Sequence, residues 1–269
     1  MKCILASAII LILFVPLFSG MMPSAKAGGS ETTIFQDDFE GYAVGTFPSS
    51  GGWQLIYNGT GNQYQVITSD FSVSGAKSLQ MVGRYTWSAV VEKDFSSSSN
   101  LIGYEACLMA TPGAWPSVAF CNRDIQQWGR NYGSVSVDAI DGCIYGGTQN
   151  LQPCTANTWY KIRVVMDRNA RTFNVWIDGQ LKGINIPEAN NPWEIKSLRF
   201  DVGWHEVKNY YDDVKVFETN PPALEIYKVL PAKSVVFHGT DRIDIGVTNK
   251  GTEAETFDLI VKVQQLLSI

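Results

Sequence analysis

The stretch TWYKIRVVMDRNARTFNVWIDGQL, residues 158–181, decides the fold of this chain. Apolar side chains stand at alternate positions of two short runs: Tyr160, Ile162, Val164 and Met166, then Phe173, Val175 and Ile177. Successive side chains of a β-strand point to opposite faces, so each run predicts a strand with one apolar face. The polar joint between the runs and the turn at Asp178-Gly179 predict antiparallel strands in sequence.

The same pattern extends outward from this hairpin. Between residues 34 and 218 short apolar runs alternate with Gly, Ser, Asn and Pro, and no long segment has a 3.6-residue period. Many short strands with regular turn signals predict an all-β sandwich or barrel. The predicted strands are 65–68, 77–82, 89–94, 102–110, 117–122, 134–140, 159–167, 172–177, 197–203 and 213–218.

The N-terminus has the layout of a secretory signal. Lys2 precedes an apolar run at residues 4–18, and Ala25-Lys26-Ala27 offers a small-x-small cleavage site. That run is short for a membrane-spanning helix, and no second apolar run of spanning length follows. We therefore predict a signal peptide at residues 1–27 and a secreted or cell-surface protein with no transmembrane segment after cleavage.

Charge and cysteine content narrow the class of protein. The 21 Lys and Arg residues are outnumbered by 26 Asp and Glu, and no basic cluster lies outside the signal, which argues against nucleic-acid binding. After cleavage four cysteines remain, and an even number in an exported chain predicts two disulfides. The pairs Cys107–Cys121 and Cys143–Cys154 are favoured because each brackets a turn, although three pairings are possible. Zinc would require closer paired spacings.

One glycosylation sequon is present, at Asn58-Gly59-Thr60. In a host that glycosylates, Asn58 is the predicted acceptor and lies in a surface loop.

Three stretches together resemble the laminin G-like domains of the concanavalin A-like lectin/glucanase superfamily. They are the hairpin WYKIRVVMD…FNVWIDGQL, the segment DDFEGYAVGTFPSSGGW at residues 37–53, and YYDDVKVFE at residues 210–218. The resemblance covers roughly residues 35–218 and predicts a domain at residues 31–218. It implies a two-sheet antiparallel jelly-roll sandwich with one concave sheet.

A second segment follows a Pro-rich linker at residues 219–222. Residues 223–269 show alternation at Ile243, Ile245 and Val247 and a turn at 249–251. They resemble the opening strands of an immunoglobulin-like module of the CARDB type. Only part of such a module is present, because sandwiches of this class have about 100 residues.

Some members of the superfamily are glycoside hydrolases with the pattern E-x-D-x-x-E on one strand. The nearest match is Glu92-Lys93-Asp94, but position 97 is Ser, so the final acid is missing. An exposed strand end explains Glu92 and Asp94 better than a catalytic pair. A lyase would use a base beside a neutralising group, and of the two histidines only His205 is near such residues in sequence. No nucleophile elbow or phosphate-binding loop occurs.

The resemblance implies a structural calcium where the first and last strands meet. The selected ligands are Asp38, Glu40 and Asp213, because oxygen ligands on neighbouring strands suit a hard cation. The alternative is that these acids point to solvent.

Aromatic and polar residues are the remaining indication of a ligand. Sugar rings stack on aromatic side chains, and sugar hydroxyls bond to polar groups. The candidate ligand-binding residues are Trp87, Arg123, Trp128, Arg130, Tyr132, Trp176, Arg199 and Asp201. Arg199 and Asp201 are expected to face outward together, with a surface ion pair as the alternative. Trp53 and Trp159 are assigned to the core.

The sequence therefore predicts a secreted, non-catalytic protein that binds a polysaccharide or a cell-surface glycan, with a role in adhesion. Two alternatives remain: a glycoside hydrolase or polysaccharide lyase, and a structural protein of an envelope or matrix without a small ligand. Jelly rolls serve many functions, so the fold alone does not choose between them.

Overall fold

A computed structural model of the protein describes residues 31–122, 130–203 and 205–219, and the backbone of 224–230 and 244–249. Residues 31–219 form two antiparallel β-sheets packed face to face, and no α-helix occurs in this described part. The prediction of an all-β, two-sheet antiparallel sandwich is therefore confirmed.

Fifteen strands build the sandwich, numbered along the chain. They are β1 (Glu31–Asp37), β2 (Trp53–Asn58), β3 (Val66–Thr68), β4 (Ser78–Val82), β5 (Ala89–Asp94), β6 (Leu101–Ala110), β7 (Pro116–Cys121), β8 (Asn131–Asp138), β9 (Cys143–Gly146), β10 (Gln149–Pro153), β11 (Trp159–Asp167), β12 (Thr172–Ile177), β13 (Gln180–Pro187), β14 (Ser197–Val202) and β15 (Lys208–Thr219). One sheet has the order β13-β12-β11-β6-β15-β4-β3, with β1 also paired to β15. The other has the order β10-β9-β8-β7-β14-β5-β2. We call them the eight-stranded and the seven-stranded sheet.

The hairpin β11–β12 forms as its sequence predicts. Ile162 pairs with Ile177 and Met166 with Phe173, so the apolar members of both runs share the core face. The Asp167 carboxylate accepts hydrogen bonds from the amides of Asn169 (2.9 Å) and Ala170 (2.8 Å) and thereby closes the polar joint.

The core lies between the two sheets and contains a row of stacked rings. Trp53 from β2 stacks on Phe200 from β14 at 5.1 Å, and Phe200 stacks on Tyr211 from β15 at 4.3 Å. Trp53 is thus a core residue, as predicted. Trp159 is not: it is half-buried and alternates with Tyr160, so it points away from the core.

The C-terminal segment contributes a separate antiparallel pair, β16 (Leu224–Leu230) and β17 (Asp244–Asn249). The predicted signal peptide and residues 220–222 of the predicted linker lie outside the described residues, while Thr219 is the last residue of β15. No helix in the described part of the chain is long and apolar enough to span a bilayer.

The predicted pairing of Cys107 with Cys121 is wrong for this structure. Cys107 on β6 alternates with the core residues Ala106 and Leu108, and Cys121 on β7 follows the core residue Phe120. The two thiols therefore point away from the core on opposite sheets. Facing sheets are about 10 Å apart, and a disulfide requires Cβ atoms about 4 Å apart, so these cysteines cannot be joined. All four described cysteines are free thiols.

We expect a single disulfide, Cys143–Cys154, when the protein is oxidised. Cys143 pairs with Pro153 across β9 and β10, and the Cys154 amide donates to the carbonyl of Gly142 (2.8 Å), so the cysteines are diagonal neighbours. Such a bridge closes a short loop and stabilises the fold by about 2–3 kcal/mol.

Peptide mass mapping of the oxidised protein checks this pairing. The expected result is one Cys143–Cys154 cross-link, with Cys107 and Cys121 alkylated only after denaturation. A cross-link between Cys107 and Cys121 would contradict the sheet assignment.

Candidate functional site

Polar side chains gather on the outer face of the seven-stranded sheet. On β14, Leu198, Phe200 and Val202 enter the core, so the residues between them point outward. The registers with β5, β7 and β8 place further polar residues on the same face. We call this set the polar face; it consists of Glu92, Ser117, Asn131, Ser197, Arg199 and Asp201.

A buried ion pair lies at the centre of the polar face. The Arg199 guanidinium donates to Glu92 Oε1 from Nε (2.8 Å) and from Nη2 (2.6 Å), and the Ser197 hydroxyl donates to Oε2 (2.9 Å). Glu92 is 0% exposed and Arg199 is 4% exposed. Both oxygens of the Glu92 carboxylate therefore accept hydrogen bonds, and the ion pair is held in a fixed position beneath the polar face.

This pair corrects two expectations. Arg199 and Asp201 do share a face, as predicted, but Arg199 pairs with Glu92 across the strands rather than with Asp201 at the surface. Glu92 is not part of an exposed strand end, although its neighbour Asp94 is exposed.

Asp201 is the second carboxyl group of the polar face. Burial raises the pKa of this carboxyl to about 6, against the lowering effects of Arg199 and the Ser88 hydroxyl. Asp201 pairs with Val90 on β5, two residues from Glu92. Diagonal positions of this kind are separated by about 7–8 Å, so the Asp201 carboxyl lies beside the buried Glu92–Arg199 pair.

Four aromatic residues stand at the end of the sheet next to Asp201. Trp87 is 41% exposed, Tyr85 is 76% exposed and Trp115 is 46% exposed. Tyr57 meets the Trp87 ring edge-on at 5.2 Å. Together they offer ring faces to solvent beside the polar groups. We call Tyr57, Tyr85, Trp87 and Trp115 the aromatic rim.

Two glycines bring the rim loops together. A Cβ on Gly83 would lie 1.9 Å from the carbonyl oxygen of Gly203, so only glycine permits this approach of the two backbones. A Cβ on Gly203 would lie 3.2 Å from the Trp115 ring. The loop that carries Trp87 and the segment that carries Trp115 therefore meet around Gly203.

The sequence prediction included Trp87 but missed Trp115. A signal was available, because Trp115 and Ser117 occupy the positions that alternate with the core residues Ala114 and Val118.

The opposite end of the polar face carries other predicted residues. Arg130 precedes β8 and lies 3.5 Å from the Glu194 carboxylate. Tyr132 is 0% exposed and belongs to the core, so its assignment as a sugar-stacking residue is wrong. Arg123 and Trp128 lie outside the described residues.

Trp176 belongs to the other sheet. It pairs with Arg163 on β11, whose guanidinium lies 5.9 Å from the Trp176 ring and 4.4 Å from the Phe217 ring. Because Trp176 points away from the core on the eight-stranded sheet, it cannot contact a ligand on the polar face. The structure thus brings together Trp87, Arg199 and Asp201 from the predicted set.

The predicted calcium ligands lie at the junction of the first and last strands. β1 and β15 are neighbours, as expected, but Asp38 and Glu40 follow β1 rather than lying on it. Glu40 accepts from the amides of Ala76 (2.8 Å) and Lys77 (2.6 Å), and Asp213 accepts from a serine hydroxyl.

A lysine satisfies the carbonyl groups of this junction. The Lys77 ammonium donates to the carbonyls of Glu40 (2.8 Å) and Tyr42 (2.9 Å). The described residues contain no group of three or more His, Cys, Asp or Glu side chains that could hold a metal. Two carbonyl oxygens of the junction thus already accept from Lys77, and the calcium site stays a prediction.

We expect chelation to leave the stability of this junction unchanged. Thermal unfolding with and without EDTA should give melting temperatures within about 1 °C, because Lys77 already supplies the positive charge. The variant Lys77→Met should unfold with a free energy lower by about 1–3 kcal/mol, because it loses two charged hydrogen bonds. A fall of several degrees with EDTA, reversed by added calcium, would instead establish the metal site.

Comparison with known proteins shows a similar fold but no family for this chain. The sequence matches no protein-family model and no curated protein. A solved sialidase superposes on 68% of this chain with 17% identity and a TM-score of 0.50, and this chain spans 18% of that sialidase. The carbohydrate-binding module CBM66 from Bacillus subtilis (16% identity, TM-score 0.41) is matched over 61% of this chain and 94% of its own.

A third neighbour is LamAcat from Zobellia galactanivorans, with 14% identity and a TM-score of 0.45 over 70% of this chain and 97% of its own. Of the three neighbours only the sialidase reaches a TM-score of 0.50. At these identities only the fold follows.

Proposed function

We propose that this protein binds a glycan chain on the polar face and the aromatic rim without cleaving it. The observation that carries the proposal is the exposed aromatic rim directly beside the hydrogen-bonding groups of the polar face. Sugar C–H faces stack on aromatic rings, and few but well-placed polar groups fix the orientation of a ligand. The buried Glu92–Arg199 pair holds those groups in place before the ligand arrives.

The state of Glu92 supports a binding role. Retaining glycosidases need two available carboxyl groups about 5–5.5 Å apart, and inverting enzymes need them about 6.5–9.5 Å apart around a water. Glu92 is buried, and both of its oxygens already accept hydrogen bonds from Arg199 and Ser197. It therefore cannot attack a sugar or activate a water while this pair is intact.

Asp201 favours a second candidate function, a glycoside hydrolase. A carboxyl group with a pKa near 6 suits a general acid at neutral pH, and burial raises the pKa of Asp201 to about 6. Its diagonal position relative to Glu92 lies in the range of an inverting pair. This candidate requires Glu92 to leave Arg199 when substrate binds.

The proposed setting is outside the cell, and the support for it is the predicted signal peptide at residues 1–27. Adhesion to a surface glycan fits that setting. The partial immunoglobulin-like module at residues 223–269 also remains a proposal, and its support is the sequence pattern alone.

A glycan array with the chain from residue 28 to 269 tests the proposal, followed by overnight incubation with each bound glycan and chromatography of the products. Binding with intact glycan supports a binding protein. Release of shorter products establishes the hydrolase or lyase. Failure to bind any glycan would favour a structural role in an envelope or matrix.

A further inference from the structure

We infer that the polar face selects glycans that carry no negative charge and excludes uronic acids and sulfated sugars. This inference rests on the proposed function and names the class of ligand that the same site accepts. The inference is based on the charged side chains that the strands carry on that face.

Carboxylates outnumber cations at the outward positions of the described strands of the seven-stranded sheet. The carboxylates are Glu92, Asp94, Asp138 and Asp201, and the one cation is Arg199. Arg199 is bound to Glu92, so its charge is already neutralised. An anionic sugar therefore meets an excess of negative charge and no uncommitted guanidinium in these strands.

The charged residues of the flanking loops do not offset the excess of carboxylates on this face. Arg130 at one end is near the Glu194 carboxylate. Arg84 is exposed in the rim loop at the other end and is a single positive charge. In the sequence between β7 and β8, Arg123 and Arg130 stand against Asp124, and Glu194 offsets the charge of Arg130.

Asp201 is the carboxylate of the polar face that lies nearest the aromatic rim. It is half-buried between the aromatic rim and the Glu92–Arg199 pair. The charged or titratable groups around it are Arg199 on its own strand, Glu92 on β5, Tyr57 on β2, and Tyr211, whose hydroxyl donates to the Asp201 carbonyl (2.9 Å). In such a partly desolvated place like charges repel more strongly than in water.

The other polar groups of the face suit hydroxyl groups. Ser117 on β7 and Asn131 on β8 are neutral, and each can both donate and accept a hydrogen bond. Carboxylates such as Asp201 accept strongly from sugar hydroxyls. The face is therefore complementary to an uncharged polyol.

Calorimetry with matched sugar pairs tests the inference. The probes are cellohexaose with its β-1,4-glucuronate counterpart, and mannohexaose with its β-1,4-mannuronate counterpart, each at pH 7.5 and pH 5.0. We expect the neutral member of a pair to bind at least about tenfold more tightly at pH 7.5. At pH 5.0 the difference in affinity between the neutral and the anionic sugar of a pair should become smaller. Asp201 is then mostly protonated, while a sugar carboxyl of ordinary pKa stays charged.

The variant Asp201→Asn should reduce the affinity difference between the neutral and the anionic sugar at pH 7.5, and this difference should no longer depend on pH. Asp178→Asn is the matched control, because it removes one carboxylate at the β12–β13 turn of the other sheet. The affinity difference between the two sugars of a pair should be the same in this variant as in the unchanged protein. The pH series on the unchanged protein decides the matter even where the Asp201 variant folds poorly.

The outcomes separate the inference from the proposed function. Tighter binding of a uronate than of its neutral partner overturns the inference and leaves glycan binding intact. An equal affinity for both members at pH 7.5 also overturns it. Absence of binding to all four probes and to every glycan of the array overturns the proposed function and the inference with it.

Discussion

The variant Arg199→Met is expected to lower the free energy of unfolding by about 3–5 kcal/mol, because it leaves the Glu92 carboxylate buried without its partner. Glu92 is fully buried and accepts two hydrogen bonds from Arg199, at 2.8 and 2.6 Å. Urea denaturation followed by tryptophan fluorescence measures the change.

Two further variants make this result interpretable. The double variant Glu92→Gln with Arg199→Met removes both charges and should recover at least half of the loss, because the cost comes from the unpaired charge rather than from the missing attraction. Lys208→Met breaks the exposed Lys208–Asp70 pair and should change stability by less than about 1 kcal/mol. An Arg199→Met variant as stable as the Lys208→Met variant would contradict the buried pair.

Replacing both rim tryptophans, Trp87→Ala with Trp115→Ala, is expected to weaken glycan binding by about 10- to 100-fold. Each lost ring contact removes about 0.7–1.4 kcal/mol, and every 1.4 kcal/mol is a factor of ten in the dissociation constant. Both rings are more than 40% exposed in the unbound protein, so the unfolding free energy should change little. Calorimetry with a glycan taken from the array measures the affinity.

Phe71→Ala is the control for the rim variant. Phe71 is 45% exposed and packs on Tyr210 of β15, in the eight-stranded sheet. Its loss should leave the affinity within about twofold. An undiminished affinity in the double tryptophan variant would mean that the glycan binds elsewhere.

Alternation of apolar side chains predicted the central strands well. β5, β11 and β12 have the predicted bounds, because each contributes a regular apolar face to the core. The edge strands β10 and β13 were missed, since an edge strand buries little and needs no alternation. The short strands β2 and β9 were missed as well.

Long-range pairing explains why the candidate site was only partly predicted. Alternation along β14 placed Arg199 and Asp201 on one face, but the partner of Arg199 is set by the register with β5, more than one hundred residues away. Tyr132 was assigned to ligand binding because polar residues surround it in sequence, whereas the ladder between β7 and β8 shifts by a residue near Gly133, whose φ is +56°. That bulge puts Tyr132 and Val135 on the same core face, against simple alternation.

The cysteine error has a topological cause. A turn that brackets two cysteines brings them together when its strands pair in one sheet, as β9 and β10 do. The turn after β6 instead leads into β7 of the other sheet, so Cys107 and Cys121 face away from each other. Nothing in the local sequence distinguishes the two kinds of turn.

Backbone chemical-shift mapping during a glycan titration tests the central claim most directly. With the tightest glycan from the array, amide shifts should change in β5, in β14 and in the rim residues around Trp87 and Trp115, while β11, β12 and β13 stay unchanged. The sugar should be recovered intact afterwards. Shifts concentrated on the eight-stranded sheet, or a glycan recovered as shorter fragments, would contradict the claim.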